Sequence, residues 1–127
     1  QDNIMNIKLV FRIQAMLNLL NGIGALILTR VFLEAGNFQV TEDLTTLGQF
    51  LAVTLIILGI IAWRIPDLAG DSINSFGKLF AMTNGLWVLI IGYHIINGQA
   101  SGPTPYVNIV LIAIMAVLFF TQSSKND

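Results

Sequence analysis

Four apolar runs decide what this chain can fold into. Residues 44–63, 79–97 and 106–121 contain no Asp, Glu, Lys or Arg, and residues 10–29 contain only Arg12, near their start. Wound as a helix at 1.5 Å of rise per residue, each run reaches across roughly 30 Å of hydrocarbon, the last one barely. A soluble domain of 127 residues has no interior large enough to hide four such runs. The charged fraction of 10% falls far below the roughly 25% of soluble proteins, and the mean hydropathy of +0.78 points the same way. The expected fold is all-α: an antiparallel bundle of four transmembrane helices, forming one domain over residues 1–127.

The breaks between runs are well marked. The second run is expected to stop at Trp63-Arg64-Ile65-Pro66, because proline has no amide hydrogen to donate and biases the preceding residue away from helix. Asp71-Ser72 offers an N-cap region ahead of the third run. Ser101-Gly102-Pro103-Thr104-Pro105 separates the third and fourth runs and cannot be helical throughout. The first connection, residues 30–46, carries Phe32, Leu33, Phe38 and Val40 and is too apolar for a solvated linker. A short helix or turn lying at the membrane interface is the favoured expectation there, with a lid over an outward-facing cavity as the sharper alternative. At the N-terminus, Met5-Asn6-Ile7-Lys8 reads as a start followed by a basic flank, and the expectation is that residues 1–4 are an upstream extension or a scar. The first run is too long for a removable signal peptide and lacks the small-residue cleavage pattern.

Basic residues set the expected orientation. Lys8, Arg12, Arg64, Lys78 and Lys125 fall on one side, and only Arg30 falls on the other, beside Glu34, Glu42 and Asp43. That bias places both termini and the middle loop in the cytoplasm and argues against dual topology.

Polar groups inside such runs are the candidate functional residues. Lipid offers them no hydrogen bonds, so they must turn toward other protein. Gln14, Asn18 and Asn21 share one helical face with Ala25 and Thr29. Asn84, Trp87, Ile91 and His94 share another, at about 100° per residue. With Gln49 on the second run, Gln14, Asn18, Asn21, Asn84, Trp87 and His94 make up a candidate polar core. If all face inward they form a thread across the bundle, with Gln14 and Asn84 in the cytoplasmic half, Asn18 and Asn21 near the midplane, and Gln49 and His94 in the outer half. The structural reading is interhelical hydrogen bonding; the functional one is a conduit or pocket for a small solute, lipid or quinone. Small residues mark helix-packing seams: Gly22 on the first run, Gly48, Ala52 and Gly59 on the second, Ala113 and Ala116 on the fourth.

Several chemistries have nothing to stand on. The chain has no cysteine, which removes thiolate catalysis and thiolate metal sites. Its serines lie in loops and tail with no base placed beside them, so no catalytic residue is assigned. Asn21-Gly22-Ile23-Gly24 sits inside a hydrophobic helix and cannot cradle phosphate. Every acid lies outside the runs, whereas proton-coupled transport normally needs a carboxylate within the membrane. A net charge of −1 gives no case for nucleic acid. No cofactor or metal is expected; His94 is the single candidate axial ligand for a haem or (bacterio)chlorophyll, and one histidine cannot supply a bis-histidine haem within one chain.

Phe11-Arg12 at the start of the first run, the polar and glycine residues of 18–24, the short third connection and the overall length together resemble the broad DoxX-like group of small four-helix bacterial membrane proteins. The resemblance implies a bacterial inner membrane and, for some members, association with redox- or quinone-related membrane complexes; it assigns no functional residue. Length and helix count are also similar to small multidrug-resistance exporters, but the first run lacks the glutamate that family relies on. Residues 20–30 are similar to a glycine-rich stretch of fluoride channels, without their phenylalanine-rich filter. The resulting expectation is a non-catalytic accessory subunit surrounded by membrane lipids, packing against itself or a larger membrane complex. The conduit and the haem or pigment subunit stand as alternatives.

Overall fold

The computed structural model describes residues 6–124. The suggested extension at residues 1–4, Met5 and the tail cation Lys125 lie outside the described residues. The described secondary structure is all helical: α1 (Ile7–Ile27), α2 (Thr29–Ala35), α3 (Glu42–Leu68), a 3-10 turn (Gly70–Ser72), α4 (Ile73–Ile96) and α5 (Pro103–Ser124). Four of these helices are long and apolar enough to cross a membrane, one for each apolar run.

Local chemistry explains most of the ends. The Asn6 side chain accepts from the Leu9 amide at 2.9 Å and caps α1, and Thr41 caps α3 by accepting from the Leu44 amide at 3.1 Å. Such caps satisfy amides that a helix leaves without internal partners. Glu42 and Asp43 follow in the first turn of α3, where negative charge meets the positive end of the helix dipole. Pro103 and Pro105 sit in the first turn of α5, where the missing amide hydrogen would have no acceptor. Residues 30–46 do contain a short helix, α2, with an Arg30–Glu34 ion pair at 3.2 Å along it.

Two ends differ from the sequence expectation. The second run does not stop before Pro66: α3 continues through it to Leu68. Pro66 cannot donate to the Ala62 carbonyl, and the neighbouring Trp63 carbonyl accepts a hydrogen bond from the Arg12 guanidinium. A cation from the adjacent helix thus steadies the turn that proline weakens. The second difference is at α4, which starts at Ile73, a turn and a half ahead of the apolar run. Asp71 and Ser72 belong to the 3-10 turn, and Ser72 makes no side-chain cap bond.

The long helices alternate in direction but pack unevenly. α1 and α3 form one antiparallel hairpin and α4 and α5 the other, while α3 scarcely touches α4. Close approach in the first hairpin depends on small residues. A methyl group on Gly22 would lie 2.9 Å from the Ala52 carbonyl oxygen, and one on Gly59 would lie 3.1 Å from the Leu19 amide. Ala52 is fully buried in this seam, and Gly48, further along α3, faces Thr29 of α2. In the second hairpin Gly77 receives the Ser123 side chain.

The hairpins meet at the end that carries the chain termini. There Phe11 of α1 lies edge-on to Phe80 of α4 and Phe119 of α5, with ring centroids 5.1 and 4.8 Å away. Val10, Phe11, Ile65, Met115 and Phe119 form the buried core at this end. Beyond Asn84 no residue of α4 is fully buried. At the opposite, loop end, Asn37 donates to the Ser101 hydroxyl at 3.1 Å. Gly102, at φ +84°, lies so close to the Ala35 carbonyl that a side chain would collide with it. The expected bundle is therefore two hairpins pinned firmly at the terminal end and tied by a loop contact at the other.

Candidate functional site

The polar residues of α1 and α4 come together one turn above the phenylalanine cluster. Gln14 and Asn84 are 7% and 5% exposed, and an amide at that depth must find partners or lose several kcal/mol. It finds them. Asn84 Nδ2 donates to Gln14 Oε1 at 3.0 Å and to the Phe80 carbonyl at 2.9 Å, which uses both of its protons. Gln14 Nε2 in turn donates to Asn18 Oδ1 at 3.0 Å. Helical spacing explains the chain: Gln14 and Asn18 are four residues apart and therefore neighbours on one face. Parallel packing of α1 on α4, with Ile7 beside Gly77 and Phe11 beside Phe80, brings Gln14 level with Asn84.

The other sequence candidates lie elsewhere. Asn21 is half-buried and makes no side-chain hydrogen bond to a described residue. Gln49 is exposed on the flank of α3, about 100° around the helix from Gly48. Trp87 is 39% exposed. His94 is half-buried, and its ring lies edge-on to Tyr93 with centroids 5.1 Å apart. Three amides thus form one short network, and Asn21, Gln49, Trp87 and His94 do not join it. Of the seam residues, Gly22, Ala52 and Gly59 line the α1–α3 contact, whereas Gly48 faces Thr29 and Leu33 of α2. Ala113 and Ala116 are half-buried, and Ala113 lies in an apolar furrow on α5 with Ile114, Val117 and Leu118. Among the described residues no three His, Asp or Glu side chains converge to hold a metal ion.

A second constellation was not picked out by sequence reasoning. Arg12 donates to the Trp63 carbonyl and pairs with Asp67 at 3.0 Å. Its guanidinium carbon lies 4.4 Å from the centre of the Trp63 ring. Arg64 adds a longer contact of 3.8 Å to the same carboxylate. The signal was in the sequence: Arg12 opens the first run and Trp63 to Asp67 close the second, so an antiparallel hairpin places them level. Ser123, fully buried with its hydroxyl bonded to the Phe119 carbonyl, also went unnoticed among tail residues. So did Asn74, whose buried Oδ1 has no hydrogen-bond partner among the described residues.

Four long apolar helices, with buried amides joining α1 to α4, define an integral membrane protein of the helical class. Compared with known proteins, the chain matches no family model, no curated protein and no solved structure.

Proposed function

We propose that the protein is a non-catalytic subunit of a bacterial inner-membrane assembly, with both termini cytoplasmic, packing through its outer helix faces against its own copies or a larger complex. The carrying observation is Gly85. It lies in the middle of a long helix, where glycine costs about 1 kcal/mol relative to alanine, yet no atom of a neighbouring element lies within 4 Å of where its side chain would be. The chain's own packing gives no use for that residue. A partner helix approaching the backbone there does, since small residues let membrane helices come close. Met82, Leu86 and Leu89 flank it on one side, 59 to 70% exposed. The buried amides support the same reading, because Gln14, Asn18 and Asn84 are occupied in holding α1 to α4.

The absence of cysteine makes the test direct. A single Gly85→Cys variant, oxidised in intact membranes, is expected to form a disulfide-linked dimer or a link to a companion. Val107→Cys, on the exposed flank of α5, is expected to form none. Native mass spectrometry of the gently solubilised protein should show the same oligomer or partner. A monodisperse monomer without companion, and no link from Gly85→Cys, overturns the proposal.

A further inference from the structure

Near the terminal end, the outer flank of the α1–α3 hairpin holds a groove of about 270 Å³ lined by Met16, Leu19, Ile60, Trp63 and Arg64. Met16 and Leu19 are three residues apart on α1, as are Ile60 and Trp63 on α3, so each wall is one helical turn. The lining is apolar except at its terminal end, where Arg64 stands. The Trp63 wall is held in place by Arg12, whose guanidinium stacks on its ring and binds its carbonyl.

Charge at the mouth is unbalanced. Asp67 is the carboxylate shared by two guanidiniums, and it lies closer to Arg12, at 3.0 Å, than to Arg64, at 3.8 Å. The described residues of the terminal end carry a formal charge excess of the same sign. Among the described residues, Lys8, Arg12, Arg64 and Lys78 stand there against Asp67 and Asp71, whereas the loop end has Arg30 against Glu34, Glu42 and Asp43.

We infer that this groove seats an anionic phospholipid, with one acyl chain along Met16, Leu19, Ile60 and Trp63 and the phosphate on Arg64. A groove on the flank of two spanning helices opens directly to hydrocarbon. Its one-turn length suits a methylene segment and is short for a partner helix, whose ridges interlock over several turns. Arginine's planar fork matches phosphate oxygens, and basic residues beside a membrane helix draw anionic headgroups. The unbalanced guanidinium selects among lipids, and the apolar walls distinguish a lipid from a bare phosphate ion.

The test uses the full chain in detergent micelles, titrated with phosphatidylglycerol or phosphatidylcholine and read by native mass spectrometry. Phosphatidylglycerol should be retained several-fold more than phosphatidylcholine. Arg64→Gln should lower that preference about fivefold, the factor equivalent to about 1 kcal/mol for one basic residue near an anionic lipid. Arg64→Lys, which keeps the charge, should retain at least half of it, and Lys78→Gln, at the same end outside the groove, should change it less than twofold. In a Trp87→Phe background Trp63 is the sole tryptophan, and its fluorescence should be quenched by phosphatidylglycerol with dibrominated acyl chains. Equal retention of the two lipids overturns the inference. So does a loss from Lys78→Gln or Arg64→Lys as large as from Arg64→Gln, displacement of the lipid by inorganic phosphate alone, or an unquenched Trp63.

Discussion

Asn84 of α4 and Gln14 of α1, both buried, are joined by a hydrogen bond of 3.0 Å between parallel helices. This contact links the two hairpins through side chains that hydrocarbon would otherwise leave unsatisfied. Hydrogen bonds between membrane helices average about 0.6 kcal/mol, with a maximum near 1.7. Leaving a buried partner unpaired adds a penalty of about 1–3 kcal/mol. Asn84→Leu is therefore expected to destabilise the protein by about 2–3 kcal/mol in a thermal or SDS-unfolding titration. Gln14→Leu with Asn84→Leu should lose less than the sum of the two singles. Asn21→Leu should shift the midpoint by less than about 0.5 kcal/mol. An equal loss at Asn21 and Asn84 would show that the network is not what holds the hairpins together.

Gly77 and Gly85 lie two turns apart on α4 and should respond oppositely to alanine. A methyl on Gly77 would collide with the Ser123 hydroxyl and approach Ile7 Cδ1 at 2.8 Å, whereas one on Gly85 meets nothing within 4 Å. Overpacking typically costs about 1–3 kcal/mol, so Gly77→Ala should destabilise by that amount and Ser123→Ala should restore part of it. Gly85→Ala removes a backbone-entropy cost of about 0.5–1 kcal/mol and should leave the solubilised monomer as stable or more so. The measurement is the unfolding midpoint of each variant. A Gly85→Ala protein as unstable as Gly77→Ala would mean that the chain's own packing already uses that face.

Why the sequence revealed some of this and not the rest can be seen residue by residue. Uninterrupted apolar runs locate the spans because a bilayer demands length and forbids charge. The inward turn of Gln14, Asn18 and Asn84 was legible because hydrocarbon cannot satisfy an amide. Trp87 shows the limit: periodicity set it on the side of α4 that Asn84 turns inward, but beyond Asn84 no residue of α4 is fully buried, because the hairpins pack closely only at the terminal end. Gln49 fails similarly, because a seam of small residues fixes which face of α3 approaches α1 and Gln49 lies off it. Pro66 looked like a stop because its local effect is to remove a hydrogen bond. Arg12, distant in sequence and level in space, hydrogen-bonds the Trp63 carbonyl in the turn that continues through Pro66.

Removing Arg12 should therefore cost more than removing its carboxylate partner. The Arg12 side chain is 28% exposed and Asp67 is 53% exposed, so solvent screening keeps the ion pair itself below about 1 kcal/mol. Arg12 also supplies a charged hydrogen bond to the Trp63 carbonyl and a cation–π contact of about 0.5–1 kcal/mol. Arg12→Gln is expected to lose about 1–2 kcal/mol and Asp67→Asn less than about 1 kcal/mol. Hydrogen exchange gives a local check: amides of the last turn of α3, after Pro66, should exchange faster in Arg12→Gln than in Asp67→Asn. Equal exchange in the two variants would assign the steadying of that turn to the ion pair alone.

Phe11 tests what kind of force closes the terminal end. It is fully buried and makes ring contacts with both Phe80 and Phe119. In a soluble core, Phe→Ala costs about 3–5 kcal/mol, partly because the ring leaves water on folding. Lipid tails are as apolar as the ring, so between membrane helices that transfer contribution vanishes and only packing and ring geometry are lost. Phe11→Ala should therefore fall at or below about 3 kcal/mol when unfolding is measured in lipid bicelles. Phe76→Ala, on the exposed side of α4, should stay within about 0.5 kcal/mol. A Phe11→Ala loss in bicelles clearly above about 3 kcal/mol, inside the soluble range, would mean that water, not lipid, surrounds this end of the helices when they separate.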